Sequence, residues 1–189
     1  KALFLGFDPV RFFYRFHEIL ILDHYMGRVY IFFFGAFFLA LLLVYLRSSR
    51  LFNRAITAMI VCYILGLIGY FAIPALGPAF IEPDQYAKIT YEPIRFLLKY
   101  LTATRNEFLL NPLKFHPMIF EGIAAFPSLH IAHTTLFFLF IRKSGYRFWN
   151  WFFGIFYILN VISTLYCGFH YFIDDIAGTA LAIIVYAII

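Results

Sequence analysis

Two histidines and an aspartate are the residues of this chain whose types and spacing suit chemistry. His130 closes the segment Ala124-Ala125-Phe126-Pro127-Ser128-Leu129-His130, and His170 and Asp174 lie four apart within 163–174, both segments set among long apolar runs. An ionisable side chain near the middle of a bilayer costs roughly 2.5–3.5 kcal/mol on insertion scales, so residues kept there line a polar cavity with work to do. The two segments therefore read as halves of one site.

In the first half, Pro127 suits the opening position of a helix, because its φ is fixed and it lacks an N–H. The N–H groups of Ser128, Leu129 and His130 then have no intrahelical acceptor, and Phe126 offers no cap. Such a start attracts anions, phosphate above all. Ser128 adds a hydroxyl, and His130 is placed to give a proton to an oxygen leaving that phosphate. His133 follows one turn later on the same face. In the second half, the His170–Asp174 spacing sets the two side chains facing one another on a helical turn. A carboxylate bonded to one imidazole nitrogen fixes the tautomer and leaves the other nitrogen as nucleophile or base. Asp175 is expected to face solvent or to meet the positive end of the last helix. The plain alternatives are a Pro-initiated helix carrying a solvated histidine, and a structural His–Asp pair closing a turn.

The elements that must position these groups follow from composition. With 63% hydrophobic residues, 13% charged and 27 phenylalanines, most of the chain has hydrocarbon as its solvent. Apolar stretches near 30–46, 56–72, 149–165 and 172–189 are long enough to span, and 127–141 is a shorter fifth. A full span takes about 20 residues, so this one is expected to start below the membrane surface, in a cavity. The prediction is an all-α polytopic membrane bundle, one domain over 1–189, with five visible spans. The chain begins at Lys1 and stops inside an apolar run, so it reads as part of a longer protein with a sixth helix. Arg11, Arg15 and Glu18, offset from Phe12, Phe16 and Ile19, predict an interfacial helix within 1–28. An oblique span is the alternative there, and nothing resembles a cleavable signal peptide.

Charge sets the expected orientation. Arg47, Arg50 and Arg54 follow the first span, and Arg142, Lys143 and Arg147 precede the fourth, without acidic residues, so both turns are predicted cytoplasmic. The connection 79–126 balances its charges and is expected outside. Alternating the helices then brings the end of 56–72, the start of the Pro127 helix and the His170 turn to that same side. The net charge of +5 is accounted for by these loops and implies no nucleic-acid partner. Cys62 and Cys167 fall in apolar surroundings as small hydrophobes, where no disulfide or redox role is expected.

Phe-Pro-Ser-Leu-His130 resembles the Pro-Ser-Gly-His motif of the type 2 phosphatidic acid phosphatase superfamily. Ser163 through Asp174 resembles its Ser-Arg-(five)-His-(three)-Asp motif, with the spacing from Ser163 to His170 to Asp174 kept throughout. The stretch with Pro74, Gly77 and Pro78 is similar to the region of the first motif, so 28–189 is covered in order. Among subfamilies the motifs look most like the inositol phosphorylceramide synthase branch. The resemblance implies a metal-free phosphohistidine mechanism without cofactor. His170 would attack phosphorus, Asp174 would orient and charge-stabilise it, and His130 would protonate the leaving group and then activate the acceptor. Pro127, Ser128, Leu129, Ser163, Gly77, Pro78 and His133 would contribute to phosphate or substrate binding. The substrate would be a phospholipid, sphingolipid or polyprenyl phosphate, handled on the extracytoplasmic or lumenal face of a plasma, inner or Golgi-type membrane.

The departures are informative. Thr164 stands where the family's phosphatases place Arg, and Ala79 where the first motif places a basic residue. Lys88 and Arg95 keep that motif's Lys-to-Arg spacing, with Phe96 where Pro belongs, and are candidate phosphate ligands, as Lys99 is a candidate to reach over the site; solvated surface charge is the alternative. Loss of the arginines favours transfer to an alcohol over hydrolysis, because a phosphodiester bears less charge than a monoester. Readings from other classes are a metal site built from His130, His133, His170 and Asp174, and a transporter or scaffold with a polar cavity.

Overall fold

The computed structural model describes residues 8–111 and 124–189. Within them the chain forms α1 (Pro9–Tyr14), α2 (Leu20–Arg47), α3 (Ser49–Ala72), α4 (Pro78–Ile81), α5 (Pro83–Tyr86), α6 (Glu92–Leu110), α7 (Leu129–Ser144), α8 (Arg147–Cys167) and α9 (Phe172–Ile188). The five expected spans are α2, α3, α7, α8 and α9. Of these, α2, α3 and α8 are long and apolar enough to cross a membrane by themselves.

α7 is the central rod, packed against α2, α3, α8 and α9. It is buried nearly all round, from Ile131 through Phe137 and again at Phe140 and Ile141, and the buried stretch includes the polar side chains His133, Thr134 and Thr135. Its 16 residues span about 24 Å, so it begins short of the bundle's end and leaves room above its first turn. Alanines at 36 and 40 of α2 and at 55 and 58 of α3 are fully buried; such small residues let helix backbones approach closely where lipid gives no hydrophobic drive.

Two turns close the far end. Ser48 caps α3 through the Leu51 N–H, and Arg47 Nε donates to the Ser144 carbonyl at 2.9 Å, which places the two basic turns side by side. At the site end, Gly168 ends α8 at φ 76°, a left-handed conformation that favours glycine. A Cβ there would also collide with the Tyr86 ring.

Two expectations are corrected. Among the described residues, the helix expected within 1–28 is limited to α1: Glu18 turns the chain at φ 81°, and α2 already starts at Leu20, so 20–28 belong to the first span. Asp23, a carboxylate within that span, is fully buried. Its carboxylate accepts from the Thr90 N–H at 2.7 Å, the Thr90 hydroxyl at 2.6 Å and the Tyr166 hydroxyl. The connection 79–126 is likewise no open loop, since α4, α5 and the 19-residue α6 occupy its described part. Arg11 of α1 ties to Glu82 in that connection at 2.9 Å, and the guanidinium holds the Glu82 carboxyl below its ordinary value.

Candidate active site

The site lies where α7 starts, between an apolar cluster centred on Phe137 and Phe140 and a second one around Tyr86, Tyr166 and Phe169. The first turn of α7 differs from the sequence expectation. Ser128, not Phe126, occupies the cap position, and its side chain accepts from the Ile131 N–H at 3.3 Å. The Ser128 N–H donates to the Asp174 carbonyl at 3.0 Å. Ser128 is thus fully buried and spent on tying α7 to α9, and Pro127 precedes the helix, packed where Gly69 of α3 leaves space. The Leu129 N–H lies against the Tyr70 phenol, and the His130 N–H follows it in the first turn. The Ser128 N–H and hydroxyl expected to meet an anion are thus bonded within the protein.

The tautomer of His130 follows from its neighbours. Thr134 Oγ1 donates to the His130 carbonyl at 2.9 Å, so this hydroxyl must accept from Asn160 Nδ2, 2.7 Å away. Asn160 Oδ1 therefore faces His130 Nε2 at 3.2 Å, and that nitrogen carries the proton. Nδ1 is left for reaction. Tyr30 and Phe33 of α2 stack on the imidazole, with ring centroids 4.5 and 3.9 Å away. Ser163 is also absorbed into this network, donating to the Asn160 carbonyl at 2.9 Å.

His170 is held differently from the expectation. Its Nδ1 bonds the Ala125 carbonyl at 2.9 Å, which can only accept, so Nδ1 bears the proton and Nε2 keeps its lone pair. Asp174 Oδ2 stands 4.0 Å from Nδ1, an electrostatic neighbour whose hydrogen bond goes to the Tyr171 N–H at 2.7 Å. The orienting acceptor is thus the backbone of the segment that carries His130. Burial pushes His170 down to about 4 against the opposing Ala125 bond, which keeps the imidazole neutral. Gly77 and Pro78 brace this turn from behind: a Cβ on Gly77 would strike the Phe169 carbonyl, and the Ala79 N–H donates to the Gly168 carbonyl at 2.9 Å.

His130, His133 and His170 line one cavity of about 530 Å³. α2 supplies an aromatic wall, Tyr30, Phe33 and Phe37, and α3 supplies Tyr63, Leu67 and Tyr70. His133 bonds the Leu129 carbonyl at 2.8 Å through Nδ1. No Lys or Arg among the described residues lines this space. Lys88 is exposed on the connection between α5 and α6, and Arg95 pairs with Glu92 at 3.4 Å, so neither expected phosphate ligand is brought to the cavity. Asp175 is also placed unexpectedly, buried and accepting from Thr164 Oγ1 at 2.9 Å. Among the described residues, no three His, Cys, Asp or Glu side chains gather as metal ligands.

A family model described as the PAP2 superfamily matches residues 2–188. The chain belongs to the PAP2 superfamily. No curated protein and no solved structure matches it. PAP2 membership supports a helical integral membrane protein with phosphatase-type activity. Sequence reasoning missed Asn160, Tyr30, Phe33 and Tyr70. Asn160 had a signal, being an amide three residues before Ser163 in an apolar run; the aromatics had none among so many.

Proposed function

We propose that this PAP2 protein transfers a phosphoryl or phospho-head group from a membrane lipid to an alcohol through a phosphohistidine on His170. The observation that carries the reading is a pair of imidazoles, His170 and His130, lining one aromatic-walled cavity, each with one nitrogen bonded within the protein and the other, His170 Nε2 and His130 Nδ1, left for reaction. The lone pair on Nε2 attacks phosphorus and forms the P–N bond as the P–O bond to the leaving group breaks. The Ala125 carbonyl holds the Nδ1 proton, and Asp174 offsets the positive charge that develops on the ring. His130 Nδ1 takes up a proton from water as the site opens and gives it to the departing oxygen; the bare Nδ1 then takes one from the acceptor hydroxyl, whose oxygen attacks phosphorus and releases His170.

The Tyr30, Tyr63 and Tyr70 phenols and the start of α7 offer neutral donors to the phosphate oxygens, which suits a singly charged phosphodiester. The motif likeness to the inositol phosphorylceramide synthase branch points the same way. Family membership favours water as acceptor, giving a lipid phosphatase, as the second reading. The proposed active-site side is extracytoplasmic or lumenal, from the charge of the loops, and residues 1–189 act as a single domain.

Incubation with head-group-labelled phospholipid and a range of alcohols tests both readings: a new phosphodiester formed faster than free phosphate is expected. An acid-labile, base-stable phosphoenzyme should form in the wild type and be absent in His170→Ala. Free phosphate as the sole product with every acceptor would establish the phosphatase, and a labelled His170→Ala enzyme would overturn the nucleophile.

A further inference from the structure

On the other side of α2 from the histidines lies a second cavity, of about 610 Å³. α2 contributes Tyr25, Arg28 and Phe32, α8 contributes Ile155 and Phe156, and Tyr91 at the start of α6 roofs it. Tyr91 can lie down on α2 because residue 27 is glycine, where a Cβ would meet its ring. Phe32 sets its edge on Phe156 at 5.5 Å and 89° to form the floor. This groove is apolar except at its upper rim, where Arg28 and the two tyrosines stand.

Arg28 is exposed, and no carboxylate among the described residues pairs with it. Asp23, close by in sequence, is buried and already accepts from Thr90 and Tyr166. None of residues 29–46 is charged, and the next cation along α2 is Arg47, about 28 Å further down the helix axis. That interval matches a hydrocarbon core of about 30 Å, so Arg28 sits at the depth of the lipid phosphates in the leaflet on the site side.

We propose that this groove binds one glycerophospholipid, an acyl chain lying along Phe32, Phe156 and Ile155 and a phosphate oxygen pair held by the Arg28 guanidinium. The planar fork of Arg matches phosphate in a bidentate manner, and the groove below it offers the aliphatic contact that a free phosphate could not use. The bound lipid is distinct from the one being cleaved, because Tyr30 and Phe33 on the opposite face of α2 stand between it and His170. It packs against the helix that stacks two rings on His130, and so supports that wall from outside.

Native mass spectrometry of the purified full chain, supplied with phosphatidylglycerol or with diacylglycerol, tests this. The wild type is expected to retain one phosphatidylglycerol and no diacylglycerol. Arg28→Gln should lower that retention at least tenfold. Ile155→Trp, at a position already 56% exposed, should abolish it without disturbing the core. Leu67→Trp, which fills the histidine cavity instead, should leave it unchanged. Equal retention of diacylglycerol, indifference to Arg28→Gln, or loss on Leu67→Trp but not on Ile155→Trp would each overturn the proposal, as would a wild type that retains no lipid.

Discussion

Asn160→Ala isolates the device that sets the reactive face of His130. The asparagine oxygen accepts from His130 Nε2, and its nitrogen donates to Thr134, so removal frees the imidazole to carry its proton on either nitrogen and leaves a buried N–H without an acceptor. Loss of one partner from a buried donor costs about 1–3 kcal/mol, which, if expressed in the transition state, lowers turnover roughly 5- to 150-fold. The stacked Tyr30 and Phe33 rings continue to hold the ring plane, at about 0.5–1.5 kcal/mol per pair, so the loss should stay short of that for His130→Ala. Turnover of a lipid substrate in detergent micelles, measured beside the thermal midpoint, is the assay. Asn160→Asp keeps an acceptor oxygen and should recover part of the rate. If Asn160→Ala retains more than half of wild-type turnover, or if Asn160→Asp is no better than Asn160→Ala, the amide does not set the tautomer.

Asp23→Ala removes the acceptor of three hydrogen bonds linking α2, the 79–126 connection and α8, and should lower stability by at least about 3 kcal/mol; an unchanged thermal midpoint would show the node idle. Cysteines placed at Lys88 and at Lys143, both exposed, should label from opposite sides of the membrane with Lys88 extracytoplasmic, and labelling of both from one side would remove the proposed orientation. Thr164→Arg should reduce folded yield without raising free phosphate over transfer, because a guanidinium at this fully buried position meets Asp175 first; a clear rise in hydrolysis would refute that placement.

The long helices were legible because hydropathy over 20 residues outweighs local detail: α2, α3 and α8 are apolar and long enough to cross a membrane, while α7 and α9 follow the shorter apolar runs. The start of α2 was not, since Asp23 and Arg28 look foreign to a span until Thr90 and Tyr166, distant in sequence, are seen to satisfy the carboxylate. The helix start at Pro127 illustrates a second limit. Proline at the first helical position and serine at the cap are both favourable, and the choice is made by contacts of Ser128 with α9 and of Pro127 with Gly69 that no local pattern encodes. His130 and His170 stood out as ionisable groups in apolar runs. The partner of His170 could not, because a backbone carbonyl at Ala125 has no sequence signature, and the four-residue spacing to Asp174 offered a more obvious candidate.

The charge inventory of the cavity bears on which substrate the proposed reaction takes. Asp174 stands 4.0 Å from the His170 ring, and a unit charge at that distance is worth about 4 kcal/mol at an effective dielectric of 20. It supports a positive phosphoimidazolium while opposing any negative charge brought beside it. A PAP2 phosphatase acting on a monoester dianion offsets this opposition with basic residues in its motifs. Here Thr164 is turned to Asp175, Ala79 is bonded into the His170 turn, and Arg95 pairs with Glu92. With no Lys or Arg in the described lining, the positive charge the reaction draws on is the proton His130 carries while it acts as the acid, and one positive charge balances one negative charge. A phosphodiester meets that balance as it stands, and its second ester oxygen stays esterified through the phosphohistidine until an alcohol arrives.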